Sequence, residues 1–90
     1  MNPVINAFMT QITPPLSVDE EARLRFMCRY FARSNLWPSR WCRIEATGEL
    51  IIYLANEAER FELTMSEMRT LYEGLQQGQA VDWAKLKRLR

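Results

Sequence analysis

The sequence predicts an α+β fold: an N-terminal helix, a small antiparallel sheet of two or three strands, and one or two C-terminal helices. Three observations carry that reading. Apolar residues recur at helical spacing over residues 18–34. Large β-prone residues run from Leu50 to Leu54 between two turn signals. Thr64 and Glu67 form a capping box that opens a further amphipathic stretch.

The first helix begins after Pro14-Pro15, with Ser17 or Asp19 as its cap and Asp19, Glu20 and Glu21 in the first turn, where the helix dipole favours carboxylates. It is expected to reach about Ser34 and to stop before Trp37-Pro38, because the residue preceding a proline resists the α conformation. Leu24, Met27, Cys28 and Phe31 make its core stripe. Arg25, Arg29 and Arg33 make a ridge at i, i+4, i+8 on another side, with Phe26 and Tyr30 beside it. Residues 1–16, with Pro3, Pro14, Pro15 and scattered apolar side chains, read as an N-terminal arm or short helix over a single small domain of residues 17–90.

Strands are expected at 41–46, 50–54 and 60–63, joined by turns at Thr47-Gly48 and at 56–59, with Phe61 and Leu63 on one face. Five large apolar residues in a row suit a central strand better than a helix, which they would wrap all round. A helical reading also exists, because Leu50, Ile51, Leu54, Ala58 and Phe61 fit a period of 3.6. The alternative fold is therefore all-α, with a helix-turn-helix-like segment at 50–75. After the capping box, Met68, Leu71, Tyr72 and Leu75 define a helix that Gly78 stops. Asp82 is placed to cap a second short helix carrying Trp83, Leu86 and Leu89, and its cationic end reads as a frayed, solvated terminus.

Composition narrows the function. The 90 residues suit one domain with one modest core. The longest apolar run, Leu50 to Ala55, is far short of the roughly 20 residues of a membrane helix. The start of the chain lacks the features of a secretion signal, so a cytoplasmic location is expected. There is no histidine, which removes the commonest general base and metal ligand. No glycine-rich phosphate loop is present, and Cys28 and Cys42 cannot make a structural zinc site alone; both read as reduced core thiols. No enzyme activity, metal or cofactor is expected.

Charge is sorted into blocks. Residues 22–43 carry six arginines and no carboxylate, residues 45–82 carry eight carboxylates against Arg60 and Arg69, and the terminus adds Lys85, Lys87, Arg88 and Arg90. Such sorting suits a docking surface. The expected partner-binding residues are Arg25, Arg29, Arg33, Phe26, Tyr30, Trp37, Arg40 and Trp41. Guanidinium groups bond carboxylates bidentately and stack on rings, and Arg, Tyr and Trp dominate interface energetics.

Residues 58–71 resemble the helix-turn-helix of DNA-binding proteins: Ala58 stands at the small position, Phe61, Leu63, Met68 and Leu71 at apolar positions, and Thr64 caps the second helix. The resemblance implies a nucleic-acid-binding regulator. Glu62 replaces the usual turn glycine, and Glu67 and Glu73 would repel phosphates. On this alternative the contacts come from Arg69, Lys85, Lys87, Arg88 and Arg90, or from the arginine-rich helix.

The leading expectation is a non-catalytic protein-interaction module: an inhibitor, adaptor or regulatory subunit, of the short kind that phages and plasmids carry as accessory proteins. Its expected partner is another protein, with a homodimer that mates plus with minus as a corollary. Nucleic acid ranks second and no membrane partner is expected. A variant of the leading reading has the glutamates of residues 45–73 arrayed on one face in imitation of a phosphate backbone.

Overall fold

In the computed structural model, which describes residues 2–89, the segment expected as an arm contains the first helix, α1 (Pro3–Gln11). Asn2 caps it, its side-chain oxygen accepting from the amides of Val4 at 3.0 Å and Ile5 at 3.3 Å. Pro3 sits in the first turn, where its missing N–H costs nothing. Ile5, Phe8, Met9 and Ile12 repeat at i, i+3, i+4, i+7, and all four are buried in the main core.

Helix α2 (Val18–Ala32) follows the expected pattern. Ser17 caps it by accepting from Glu20 N, and Leu24, Met27, Cys28 and Phe31 are wholly buried. Asn35 then turns the chain at φ 57°, a left-handed conformation that asparagine tolerates.

A four-stranded antiparallel meander follows, in the order β1 (Trp37–Arg43), β2 (Leu50–Ala55), β3 (Arg60–Thr64), β4 (Lys87–Arg88). The sheet is one strand larger than expected. β1 starts at Trp37, before the expected 41, and accommodates Pro38 because it is an edge strand with a register shift between Pro38 and Arg40. Its turn into β2 places Gly48 at φ +73°, where a side chain would strain the backbone. The turn into β3 is held by Asn56, whose side chain accepts from the amides of Ala58 at 2.9 Å and Glu59 at 2.7 Å.

The strands of residues 50–64 overturn the all-α alternative. The helix-turn-helix frame has strand β3 where its first helix and turn should lie. Only its second half is helical: α3 (Met65–Gln76) opens with the expected capping box, Thr64 Oγ1 accepting from Glu67 N and Glu67 Oε1 from Thr64 N.

The expected last helix is also corrected. Asp82 caps only a 3₁₀ turn, Trp83–Lys85, and the chain then pairs with β3 as β4. So short a segment gains little as an isolated helix. As built, it instead lays Trp83 edge-on against Phe31 and Phe61, and pairs Lys87 with Glu62 and Arg88 with Glu59. The cationic end is therefore a strand rather than a frayed helix; Arg90 lies outside the described residues.

Alternation sorts the sheet into two faces. Leu50, Ile52 and Leu54 of β2 and Phe61 and Leu63 of β3 join the helices in one core cluster. Ile51, Tyr53 and Ala55 of β2 point to the other face, which the helices leave open.

Candidate functional site

The eight expected partner-binding residues do not form one surface. Arg25 turns toward α1, donating to Glu21 at 3.2 Å and to the side-chain oxygen of Asn6. Phe26 stacks edge-on against Tyr72 of α3 at 5.2 Å, and Tyr30 also packs on the core. The two aromatics beside the ridge thus belong to helix packing. Trp41 pairs with core residue Ile52 and packs against the core from β1. What remains outward is Arg29 on α2, Arg33 at its C-cap, and Trp37 and Arg40 on the open face of the sheet.

That open face can be built strand by strand from the register. Trp37 pairs with Ala55, which pairs with Arg60. Arg40 pairs with Tyr53, which pairs with Glu62, which pairs with Lys87. A row of cation, ring, anion and cation therefore crosses the four strands. The Arg40 guanidinium lies 3.9 Å from the centre of the Tyr53 ring, and Lys87 Nζ lies 3.1 Å from Glu62. Cys42, expected in the core, is half-buried on this face with its sulfur 3.6 Å from the Tyr53 hydroxyl. That hydrogen bond, with some desolvation, pushes the tyrosine hydroxyl up to about 12. Cys28 does lie in the core, where burial pushes its thiol up to about 12 against the pull of Arg25 and Arg29.

Beside this row lies a groove of about 550 Å³, lined by Ser39, Arg40, Tyr53, Ala55, Arg60 and Leu89. Tyr53, Ala55, Arg60 and Leu89 were missed by the sequence reading. Their signal was present in the alternation of β2 and β3, but the unbroken apolar run of β2 hid which face would be covered.

Arg43 donates to three backbone carbonyls, Thr13 O at 3.1 Å, Pro14 O at 2.7 Å and Gly48 O at 3.1 Å, and so ties the loop before α2 to the first hairpin. Arg69 pairs with Glu20 at 3.5 Å, and Arg88 with Glu59. With Lys87 on Glu62, three cations of the expected nucleic-acid set are spent within the chain. Arg29, Arg33, Arg40 and Arg60 are exposed, and none has a carboxylate partner among the described residues.

The carboxylates of residues 45–73 do not form one array. Glu59 and Glu62 are paired, Glu67 closes the capping box, and Glu49 accepts from Ser66, which holds its carboxyl below the ordinary value. Glu45 and Glu57 sit in turns at opposite ends of β2, and Glu73 is on α3. Among the described residues no three acidic or cysteine side chains gather where they could hold a metal, and no helix is long and apolar enough to cross a membrane.

Fold and site together define a two-layer α+β domain with an open, arginine-bearing sheet face. Comparison with known proteins yields no match: no family model, curated protein or solved structure matches the chain.

Proposed function

We propose that this chain is a non-catalytic, cytoplasmic protein-interaction module, acting as an inhibitor, adaptor or regulatory subunit by occupying a partner's surface. One observation carries the reading. Four exposed guanidiniums, on Arg29, Arg33, Arg40 and Arg60, lack a carboxylate partner among the described residues, although the chain pairs other cations with its glutamates. Exposed ion pairs contribute only about 0–1 kcal/mol, so stability is a weak reason to keep so many arginines at a surface. Arginine beside aromatic rings is instead the composition of binding hot spots. The absence of histidine supports surface occlusion rather than chemistry.

Affinity purification with and without nuclease tests this. The expected result is a protein partner that survives nuclease, and that is lost when Arg29 and Arg33, or Arg40 and Arg60, are reversed to glutamate. A partner that disappears with nuclease, or one retained by both reversed variants, would overturn the reading.

A further inference from the structure

Two arginines on the open sheet face differ from every other cation of the sheet. Lys87 of β4 holds Glu62 of β3, Arg88 holds Glu59 in the turn before β3, and Arg43 of β1 is saturated by three carbonyls. Arg40 and Arg60 hold no anion among the described residues, and both line the same groove. Arg40 lies over the ring of Tyr53, 3.9 Å from its centre. Stacking engages the faces of a guanidinium and leaves its in-plane N–H donors to an incoming carboxylate, so the group is held ready at low entropic cost.

Between the two arginines the floor is small and apolar. Ala55 is paired directly with Arg60, and Leu89, itself 45% exposed, forms a wall on the far side of Arg60. Leu89 is fixed there by its amide, which donates to Arg60 O at 2.8 Å. The groove thus offers two cationic positions and an apolar contact, with a volume within the range of roughly 300–1,000 Å³ usual for ligand sites.

We infer that this groove docks an extended acidic segment of a partner protein, with carboxylates bound by Arg40 and Arg60 and an apolar side chain seated against Ala55 and Leu89. The inference rests on the proposed protein-interaction role and names its site. Geometry supports an extended segment. Arg40 and Arg60 stand on β1 and β3, so they are roughly 10 Å apart across the sheet and two residues apart along it. Side chains at i and i+4 of an extended chain are roughly 13 Å apart, a span that two arginine side chains can meet.

Local charge disfavours a phosphate chain. Glu57, in the hairpin that carries Arg60, holds no cation among the described residues and would repel phosphates arriving at every nucleotide. A peptide can place its carboxylates only where the arginines are.

The test uses the full chain and a fluorescein-labelled pentapeptide with glutamate, leucine and glutamate at alternate positions separated by serines. Fluorescence anisotropy measures binding, and NMR titration locates it. The expected result is shifts at Arg40, Tyr53, Ala55 and Arg60, with affinity falling at least tenfold for R40Q/R60Q and for a peptide carrying glutamine in place of glutamate. The R69Q variant, on α3 away from the sheet face, should stay within twofold of the unmodified protein.

Failure to bind the peptide, or binding that R40Q/R60Q leaves intact, would overturn the inference. So would an octauridine probe that bound the groove more tightly than the peptide. If R40E/R60E kept a nuclease-resistant partner that R29E/R33E lost, this site would be wrong while the interaction role stood. If no nuclease-resistant partner depended on either pair, the role itself would fail.

Discussion

Phe8→Ala distinguishes a structural first helix from an arm merely laid over the domain. Phe8 is 4% exposed and belongs to the same core as Leu24, Ile52 and Phe61. Truncating a buried phenylalanine costs about 3–5 kcal/mol. The ring also borders a surface groove with Pro38 and Ser39, so the space left behind opens to solvent rather than forming a sealed void. That places the expected cost at the low end, about 3 kcal/mol. A domain of 90 residues has roughly 5–13 kcal/mol in total, so the loss is large. At about 4–8 °C per kcal/mol, the midpoint should fall by roughly 12–24 °C. Val4 on the same helix is 49% exposed, and Val4→Ala should change stability by less than about 0.5 kcal/mol. Urea unfolding followed by tryptophan fluorescence gives both values. A cost below about 1 kcal/mol for Phe8→Ala, or equal costs for the two variants, would refute the placement of α1 in the core.

Arg43→Lys should destabilise the domain by about 1–2 kcal/mol, because an ammonium cannot reproduce the guanidinium's fork of bonds to Thr13, Pro14 and Gly48; the same urea titration measures it. Iodoacetamide at pH 8 should alkylate Cys42 in the native protein and leave Cys28 untouched until unfolding, since Cys28 is wholly buried with its thiol pushed up to about 12; mass spectrometry of the digested protein reads both sites. Glu49 is held below its ordinary carboxyl value by bonds from Ser66. Its contribution is therefore full above the unfolded pKa of about 4.3 and disappears as pH falls through the lower folded value. The stability gap between wild type and Glu49→Gln should be constant above pH ~5 and shrink below pH ~4 in acid titrations.

What the sequence made legible was what local rules decide. The stripe of α2, the Thr64–Glu67 box and the turn at Asn56 each depend on residues within a few positions, and each stands as expected. α1 was readable in part. Asn2-Pro3 is a cap with proline in the first turn, and Ile5, Phe8, Met9 and Ile12 keep helical spacing, but three prolines within residues 1–16 obscured the pattern. The tail failed for another reason. Trp83, Leu86 and Leu89 have helical spacing, yet the free edge of β3 and the rings of Phe31 and Phe61 supply more than a short helix could.

The site was half-legible for a similar reason. Arginine clustering in the chain does not reveal which guanidiniums find partners. That depends on tertiary neighbours such as Gly48 for Arg43 and Tyr53 for Arg40. Phe26 and Tyr30 flank the ridge on a helical wheel, but α3 claims Phe26 through Tyr72 and the core claims Tyr30.

Time-resolved modification of the native protein with phenylglyoxal, mapped by mass spectrometry, measures directly which guanidiniums are unoccupied. Arg29, Arg33, Arg40 and Arg60 should react at rates near that of a free arginine peptide, while Arg43, tied to three carbonyls, should lag at least tenfold. Protection of Arg40 and Arg60 to the level of Arg43 would mean that the sheet face is already satisfied from within, and would contradict the account.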